Sequence, residues 1–225
     1  MIIVTGASRG LGNAICNRLI SSGKEVLGIA RNTSDLSFPS ENCDVSDFES
    51  LKDIAKQLKS NGKKVEALIN AAGIAAMNLA ITTPKATTEK IIKTNLMGTI
   101  YSTQAFFPLM IREKKGSIIN FSTIAVNLSL KGESIYVASK AGVEGFSRAF
   151  AREASDFNIR VNCIAPGPIQ TDLISGVSEK QINKIILQQM QKKMFEQYDV
   201  CDLVEILLDD KSKSLTGEVL NIGGA

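Results

Sequence analysis

Short, continuously apolar runs alternate along this chain with segments whose apolar positions recur every three or four residues. The first kind reads as strands and the second as amphipathic helices, and their alternation predicts repeated strand–helix–strand units in a parallel α/β sheet. Strands are expected at residues 1–4, 25–30, 65–70, 117–121, 159–164 and 218–222, with a short one ending near Cys43 and Asp44. Helices are expected at 11–22, stopped by Gly23, and from a cap at Ser46 or Asp47 to Lys59, ahead of Asn61-Gly62. A long helical pattern over 87–112 should break or bend near Asn95 or Gly98. Further helices are expected at 134–156, 172–195 and 200–208.

One crossover departs from the pattern. Residues 32–43 carry Thr33, Ser34, Asp35, Ser37, Pro39 and Ser40, which read as loop, and the segment is barely long enough to join two parallel strands. No full helix is expected there, which leaves one sheet face thinly covered.

At 225 residues with 44% hydrophobic positions, the chain suits a single domain with a sizeable core. It shows no basic leader and no apolar run able to span a bilayer, so a soluble cytoplasmic protein is expected. The formal charge of +3 is spread along the chain, too slight a bias to imply nucleic acid or a membrane surface. Cys16, Cys43, Cys163 and Cys201 form no paired motif, so buried free thiols are expected rather than a metal site or disulfides. Histidine is absent, which excludes histidine triads, histidine-ligated metals and histidine bases. Acid–base chemistry must come from Tyr, Lys, Asp, Glu or Cys.

Two clusters carry candidate chemistry. The turn after the first strand reads Thr5-Gly6-Ala7-Ser8-Arg9-Gly10-Leu11-Gly12. Its glycines let backbone approach a ligand closely, and the free N–H groups of the helix start attract a pyrophosphate; a tight structural connection is the alternative. Tyr136 and Lys140 lie four residues apart, on one helix face, where an ammonium can stabilise a phenolate and so equip the tyrosine for proton transfer. An ordinary amphipathic helix would also present such a pair.

The Gly-rich turn, Asn70-Ala71-Ala72-Gly73 after the fourth strand, Asn95, the Tyr136/Lys140 pair and Pro166-Gly167 after the sixth strand together resemble the short-chain dehydrogenase/reductase family, over essentially the whole chain. Within it the chain is most similar to bacterial 3-oxoacyl-[acyl-carrier-protein] reductases, sharing the terminal Thr-Gly-Glu-Val-Leu-Asn-Ile-Gly-Gly. The resemblance implies a single-domain Rossmann fold, a doubly wound seven-stranded parallel sheet with helices on both faces. It implies Tyr136 as proton donor to a carbonyl oxygen, Lys140 as the group that lowers its pKa and holds the nicotinamide ribose, and Asn95 as anchor of a water leading to solvent. A structural asparagine at a helix kink is the other reading of Asn95. The family's substrate-orienting serine stands thirteen residues before the tyrosine, where this chain has Thr123; Ser122 is the alternative.

For the cofactor, the resemblance assigns Gly6, Ser8, Arg9, Gly10, Leu11 and Gly12 to the phosphates, Asp44 and Val45 to adenine, and the backbone around Asn70, Ala71, Ala72 and Gly73 to the adenosine ribose. Pro166, Gly167, Pro168, Ile169 and Thr171 would frame the nicotinamide. No acidic residue ends the second strand; Arg31 stands there, and with Arg9 it favours NADP(H), solvated arginines being the alternative.

The implied reaction is NADPH-dependent reduction of a 3-oxoacyl thioester or related ketone. Arg112, Lys114 and Lys115 suit an acidic acyl carrier protein, whereas Asp156-Phe157 does not, so a carrier partner is weakened. Residues 173–195 take the place of a substrate lid, in which Met190 and Met194 read as pocket wall or core, and residues 75–80 are the other candidate substrate contact. Small residues at Ala138, Gly142, Gly145 and Ala149 permit close helix approach, for which the resemblance implies a homodimer or homotetramer and monomer packing is the alternative. Thr123 in the serine place and the short crossover leave a second reading open, an NADP(H)-binding regulatory or scaffolding protein without turnover.

Overall fold

The first strand, β1 (Ile2–Thr5), is buried at every position, and its side chains alternate between two cores: Ile3 joins one, Ile2 and Val4 the other. A strand packed on both faces has no solvent side to mark with polar residues, hence the unbroken apolar run. The computed structural model describes residues 1–171 and 177–225. Its remaining strands are β2 (Val26–Ala30), β3 (Ser40–Asn42), β4 (Ala67–Asn70), β5 (Gly116–Phe121), β6 (Ile159–Pro166) and β7 (Val219–Ile222). All pair in parallel, in the order β3–β2–β1–β4–β5–β6–β7. This is the predicted doubly wound sheet.

On one face lie α2 (Phe48–Ser60), α4 (Gly98–Ile111) and α6 (Ser134–Ser155), whose Leu51, Phe106 and Ala151 share a core with Ile3. On the other, α1 (Gly10–Ser21) and α8 (Gln197–Leu208) bring Ile15, Leu19, Val200 and Val204 against Ile2, Val4 and Ile69. Asp47 is the cap that starts α2, its carboxylate accepting the Ser50 N–H at 3.2 Å.

No helix joins β2 to β3, as expected. The crossover instead packs Leu36 and Phe38 onto the α1 face. Asn32 Oδ1 accepts from the Ser34 N–H at 3.0 Å, and Asn42 Oδ1 accepts from the Thr33 N–H and hydroxyl at 3.0 and 2.6 Å, pinning the loop to β3. A Cβ at Gly28 would stand 2.7 Å from the Phe38 ring, so that glycine makes room for the one aromatic plug that replaces a helix. Phe38→Ala should therefore cost about 2–4 kcal/mol, read as a lower urea midpoint with an unchanged slope.

The pattern over 87–112 resolves into α3 (Lys85–Ile91), a π-helical turn from Ile92 to Met97, and α4. The break falls where it was expected, because a Cβ at Gly98 would meet Val45 at 2.6 Å and the wider turn accommodates Asn95. The pattern over 172–195 needs correction. Only α7 (Glu179–Ile186) is helical among its described residues, and 172–176 lie outside them. After α7 the backbone pairs with the chain's end and with the segment after β6: the Gln191 N–H donates to the Gly223 carbonyl at 2.9 Å and the Phe195 N–H to the Pro168 carbonyl at 3.3 Å. The buried Gln189 amide also donates to the Lys193 carbonyl at 2.9 Å. A short helix, α5 (Ala125–Leu128), was not anticipated.

Candidate active site

The chain winds outward from β1 through β2 and β3, then returns to β4 on the other side of β1. Loops leaving the ends of β1 and β4 therefore diverge, and at such a reversal a parallel sheet opens a crevice. Here it is a cleft of about 570 Å³. Gly6, Ser8, Arg9, Gly10, Leu11 and Gly12 line one end of it. Gly6 has φ 73°, and a Cβ there would lie 2.8 Å from the Ala72 backbone, so this glycine lets the two diverging loops touch. A Cβ on Gly12 would run into the Gly6 carbonyl. Helix α1 thus begins pressed against β1, with no side-chain cap and no acidic residue in its first turn. Its orphan N–H groups face the cleft ready for an anion, so the cradle suits a dinucleotide pyrophosphate.

Arg31, Asp44 and Val45 border the same end. The Asp44 carboxylate is held by the Ser46 N–H at 2.9 Å and hydroxyl at 2.8 Å. Arg31 also borders a side depression of about 210 Å³ with Lys90 and Lys93, cations that no sequence signal had tied to the site. Ala71, Ala72 and Gly73 line the cleft, but Asn70 does not. Its buried amide points into the sheet–helix interface, donating to Asn120 Oδ1 at 2.8 Å and Thr103 Oγ1 at 3.2 Å, so the cleft wall starts one residue later than expected. Pro166, Gly167, Pro168, Ile169 and Thr171 form the opposite lip.

The chemical groups sit on α6. Tyr136 and Lys140 are both buried and both line the cleft, with Lys140 Nζ 6.0 Å from the phenol ring centroid. Lys140 donates to the Phe121 carbonyl at 2.8 Å. Burial pushes this ammonium down to about 8. Burial, together with the Glu133 carboxylate, holds the Tyr136 phenol above its ordinary range, and a hydrogen bond with the Thr123 hydroxyl opposes that rise. Of the two hydroxyls at the end of β5, both on residues that line the cleft, the Ser122 hydroxyl is engaged, donating to Glu144 Oε1 at 2.7 Å, while the Thr123 hydroxyl accepts, among the described residues, only the Ala125 N–H at 3.2 Å.

Asn95 is fully buried behind the cleft wall rather than in it. Its Oδ1 accepts from the Ile74 N–H at 2.9 Å, and its Nδ2 donates to the Ile74 carbonyl at 2.9 Å and to Ser139 Oγ at 3.0 Å. Ser139 in turn donates to the Tyr136 carbonyl at 2.6 Å. Asn95 thereby braces the loop after β4 against the helix that carries the tyrosine.

A short chain dehydrogenase family model matches residues 1–182. The chain belongs to that family. Among curated relatives, the 3-oxoacyl-[acyl-carrier-protein] reductase of Salmonella typhimurium is 31% identical, the alignment covering 99% of this chain and 95% of the relative. Carbonyl reductase family member 4 of Xenopus laevis is 34% identical over 98% and 95%. Among solved structures, 4-hydroxyisoleucine dehydrogenase complexed with NADH superposes with a TM-score of 0.90 at 26% identity, covering 99% of this chain and 97% of that one. The ligand-free aldohexose dehydrogenase of Thermoplasma acidophilum gives 0.89 at 27%, over 99% and 92%.

This short-chain dehydrogenase also shows what the sequence reading missed. Glu133, one turn before Tyr136, lines the cleft, and Glu144 stands buried behind β5 with Arg148 at 3.2 Å. The spacing of three from Tyr136 was the available signal for Glu133. In the lid region it is Val177, Ile182 and Ile185 that face the cleft, while Met190 is 76% exposed and forms neither wall nor core. Ala75, Ala76 and Met77 do line it. Of the basic residues considered for a carrier, Lys115 pairs with Asp210 at 2.8 Å, and Arg112 and Lys114 are exposed. No helix among the described residues is long and apolar enough to cross a membrane.

Proposed function

We propose that this short-chain dehydrogenase is an NADP(H)-dependent reductase of a ketone, a 3-oxoacyl thioester or a related compound, with Tyr136 as the proton donor. The observation that carries the reading is that Thr123, Tyr136 and Lys140 all line one cleft, with Lys140 one helical turn from the tyrosine. The Gly6–Gly12 turn would hold the pyrophosphate, Asp44 and Val45 the adenine, and Pro166–Thr171 the nicotinamide side. When bound, the nicotinamide supplies a hydride to the carbonyl carbon.

The protein's own groups supply the rest. Thr123 donates a hydrogen bond to the carbonyl oxygen and fixes its direction. Tyr136 donates its phenolic proton to that oxygen as negative charge develops there. Lys140 holds positive charge beside the resulting phenolate and offers N–H donors to a ribose. Asn95 keeps the two walls at their spacing. Burial and Glu133 keep the phenol protonated but make it a weaker acid, and the lowering expected from Lys140 is not seen in the resting site, so its charge would act on the phenolate only as it forms.

The choice of NADP(H) rests on Arg31 just after β2, where the family's acidic ribose ligand is missing, with Arg9 in the same cleft; the side depression at Arg31 adds Lys90 and Lys93 but also Asp44 and Glu89. Arg31→Asp should raise the KM for NADPH about 10- to 100-fold and that for NADH far less; equal effects on both would contradict the assignment. The likeness to the Salmonella 3-oxoacyl-[acyl-carrier-protein] reductase supports an acyl thioester as the first substrate class to test, an acyl carrier partner included. Ala138, Gly145 and Ala149 stay exposed on α6 while Gly142 packs on Leu96, which supports a homodimer or homotetramer built on that helix.

The test is loss of NADPH absorbance against acetoacetyl thioesters and simple diketones, with NADH in parallel; NADPH-dependent turnover is expected. Its pH profile follows from Lys140. The ammonium is charged below about pH 8 and neutral above, so ketone reduction should stay level under that pH and decline above it. A profile flat to pH 10 would remove Lys140's charge from the mechanism.

A further inference from the structure

Two glutamates are buried at the active-site end of α6, and the fold treats them differently. Glu144 receives a hydrogen bond from Ser122 at 2.7 Å and an ion pair from Arg148 at 3.2 Å. Glu133, at the start of the helix, is 9% exposed, lines the cleft and meets no ammonium, guanidinium or N–H among the described residues. Burial alone acts on its carboxyl group. Its carboxylate oxygens are not among the sealed, unpartnered polar atoms of the fold, so they reach the cleft, and a ligand entering there would meet an unpaired carboxylate.

Its neighbourhood says what that ligand is. The cleft that Glu133 lines has apolar members in Ile74, Met77, Leu130, Ile182 and Ile185, and Leu130 is bound to Glu133 through its backbone. The cations bordering the cleft are elsewhere engaged or elsewhere placed: Lys140 on the Phe121 carbonyl, Arg9 and Arg31 at the phosphate and β2 ends. Glu133 and Tyr136 are three residues apart at the head of one helix, a spacing of about 5–6 Å between Cβ atoms. A group held by the first is therefore within a few bonds of a carbonyl held by the second. We infer that Glu133 is a specificity residue that receives the ammonium of an amino-ketone substrate, its short apolar body lying against the isoleucines and its carbonyl at Tyr136 and Thr123. This rests on the reductase reading and narrows its substrate class. It also explains why an anionic substrate head would be rejected, since it would face an unscreened carboxylate in a site of low polarity.

The experiment uses the full chain with NADPH and three ketones of matched shape: freshly neutralised 1-aminobutan-2-one, pentan-3-one and 3-oxopentanoate. The wild type should favour the amino-ketone over pentan-3-one about 10- to 100-fold in kcat/KM, the range expected of one charge-assisted hydrogen bond. That ratio should collapse toward unity in Glu133→Gln, and Glu133→Lys should turn preference toward 3-oxopentanoate. The reversal keeps the test informative should the glutamine variant fold poorly. The same ratio in wild type and Glu133→Gln would overturn the inference. A parallel calorimetric titration of butylammonium into the NADPH-loaded protein separates the two readings. Binding that needs Glu133, with no ketone turned over, sustains the ammonium site and sinks the reductase; turnover of neutral ketones with no such binding sinks the ammonium site alone.

Discussion

Tyr136→Phe should lower carbonyl reduction by about 10²–10⁴-fold, some 3–5 kcal/mol of transition-state stabilisation, while NADPH binding stays within a factor of a few. The phenylalanine keeps the ring that packs beside Lys140 and loses only a hydroxyl that makes no hydrogen bond holding the fold together, so the fold has little reason to respond. Single-turnover absorbance against a ketone, with cofactor affinity measured by fluorescence, separates the two quantities. If turnover survived at the wild-type rate, the proton would have to come from another donor, and the reading of the cleft as a reductase site would fail.

Gly12→Ala should be nearly as damaging by a different route. The new methyl has no free volume, because it runs into the Gly6 carbonyl, and Gly6 itself stands so close to the Ala72 backbone that a Cβ on it would lie only 2.8 Å away. Neither obstacle is the flexible end of a side chain, so α1 must lift away from β1. That should cost about 1–3 kcal/mol of stability from overpacking and spoil the aim of the helix N–H groups toward a pyrophosphate. We expect cofactor affinity to drop about 100-fold or more, beyond what the stability change accounts for. Thermal melts with and without NADPH check this: the wild type should gain stability from the cofactor, and the variant should gain almost none.

The inner strands of the sheet were legible because they are packed on both faces, so Ile2, Ile3 and Val4 or Ala67, Leu68 and Ile69 leave no polar alternation to confuse with surface structure. The break near Asn95 was legible from the asparagine and Gly98, though a π turn rather than a bend supplies it. What could not be read was side-chain direction. Thr123 and Ser122 are adjacent hydroxyls that both border the cleft, and only the carboxylate of Glu144, more than twenty residues on, engages the Ser122 hydroxyl. Asn70 is similar: its destination is set by Asn120 and Thr103 on other elements. The region after α7 misled the helical reading because its apolar and amide residues answer to the chain's last glycines, a pairing that local periodicity does not encode.

The shortness of β3 has a consequence for how copies of this chain behave when crowded. At one margin of the sheet an outermost strand presents unpaired backbone groups to any other extended chain, the usual starting point for sheet-to-sheet aggregation. Here that margin is three residues long, Ser40-Glu41-Asn42, with an acidic side chain in the middle and Pro39 ahead of it. Asn42 is already occupied with the Thr33 backbone and hydroxyl. The segment that dispenses with a helix thus also makes that edge too brief, too polar and too preoccupied to recruit a neighbour.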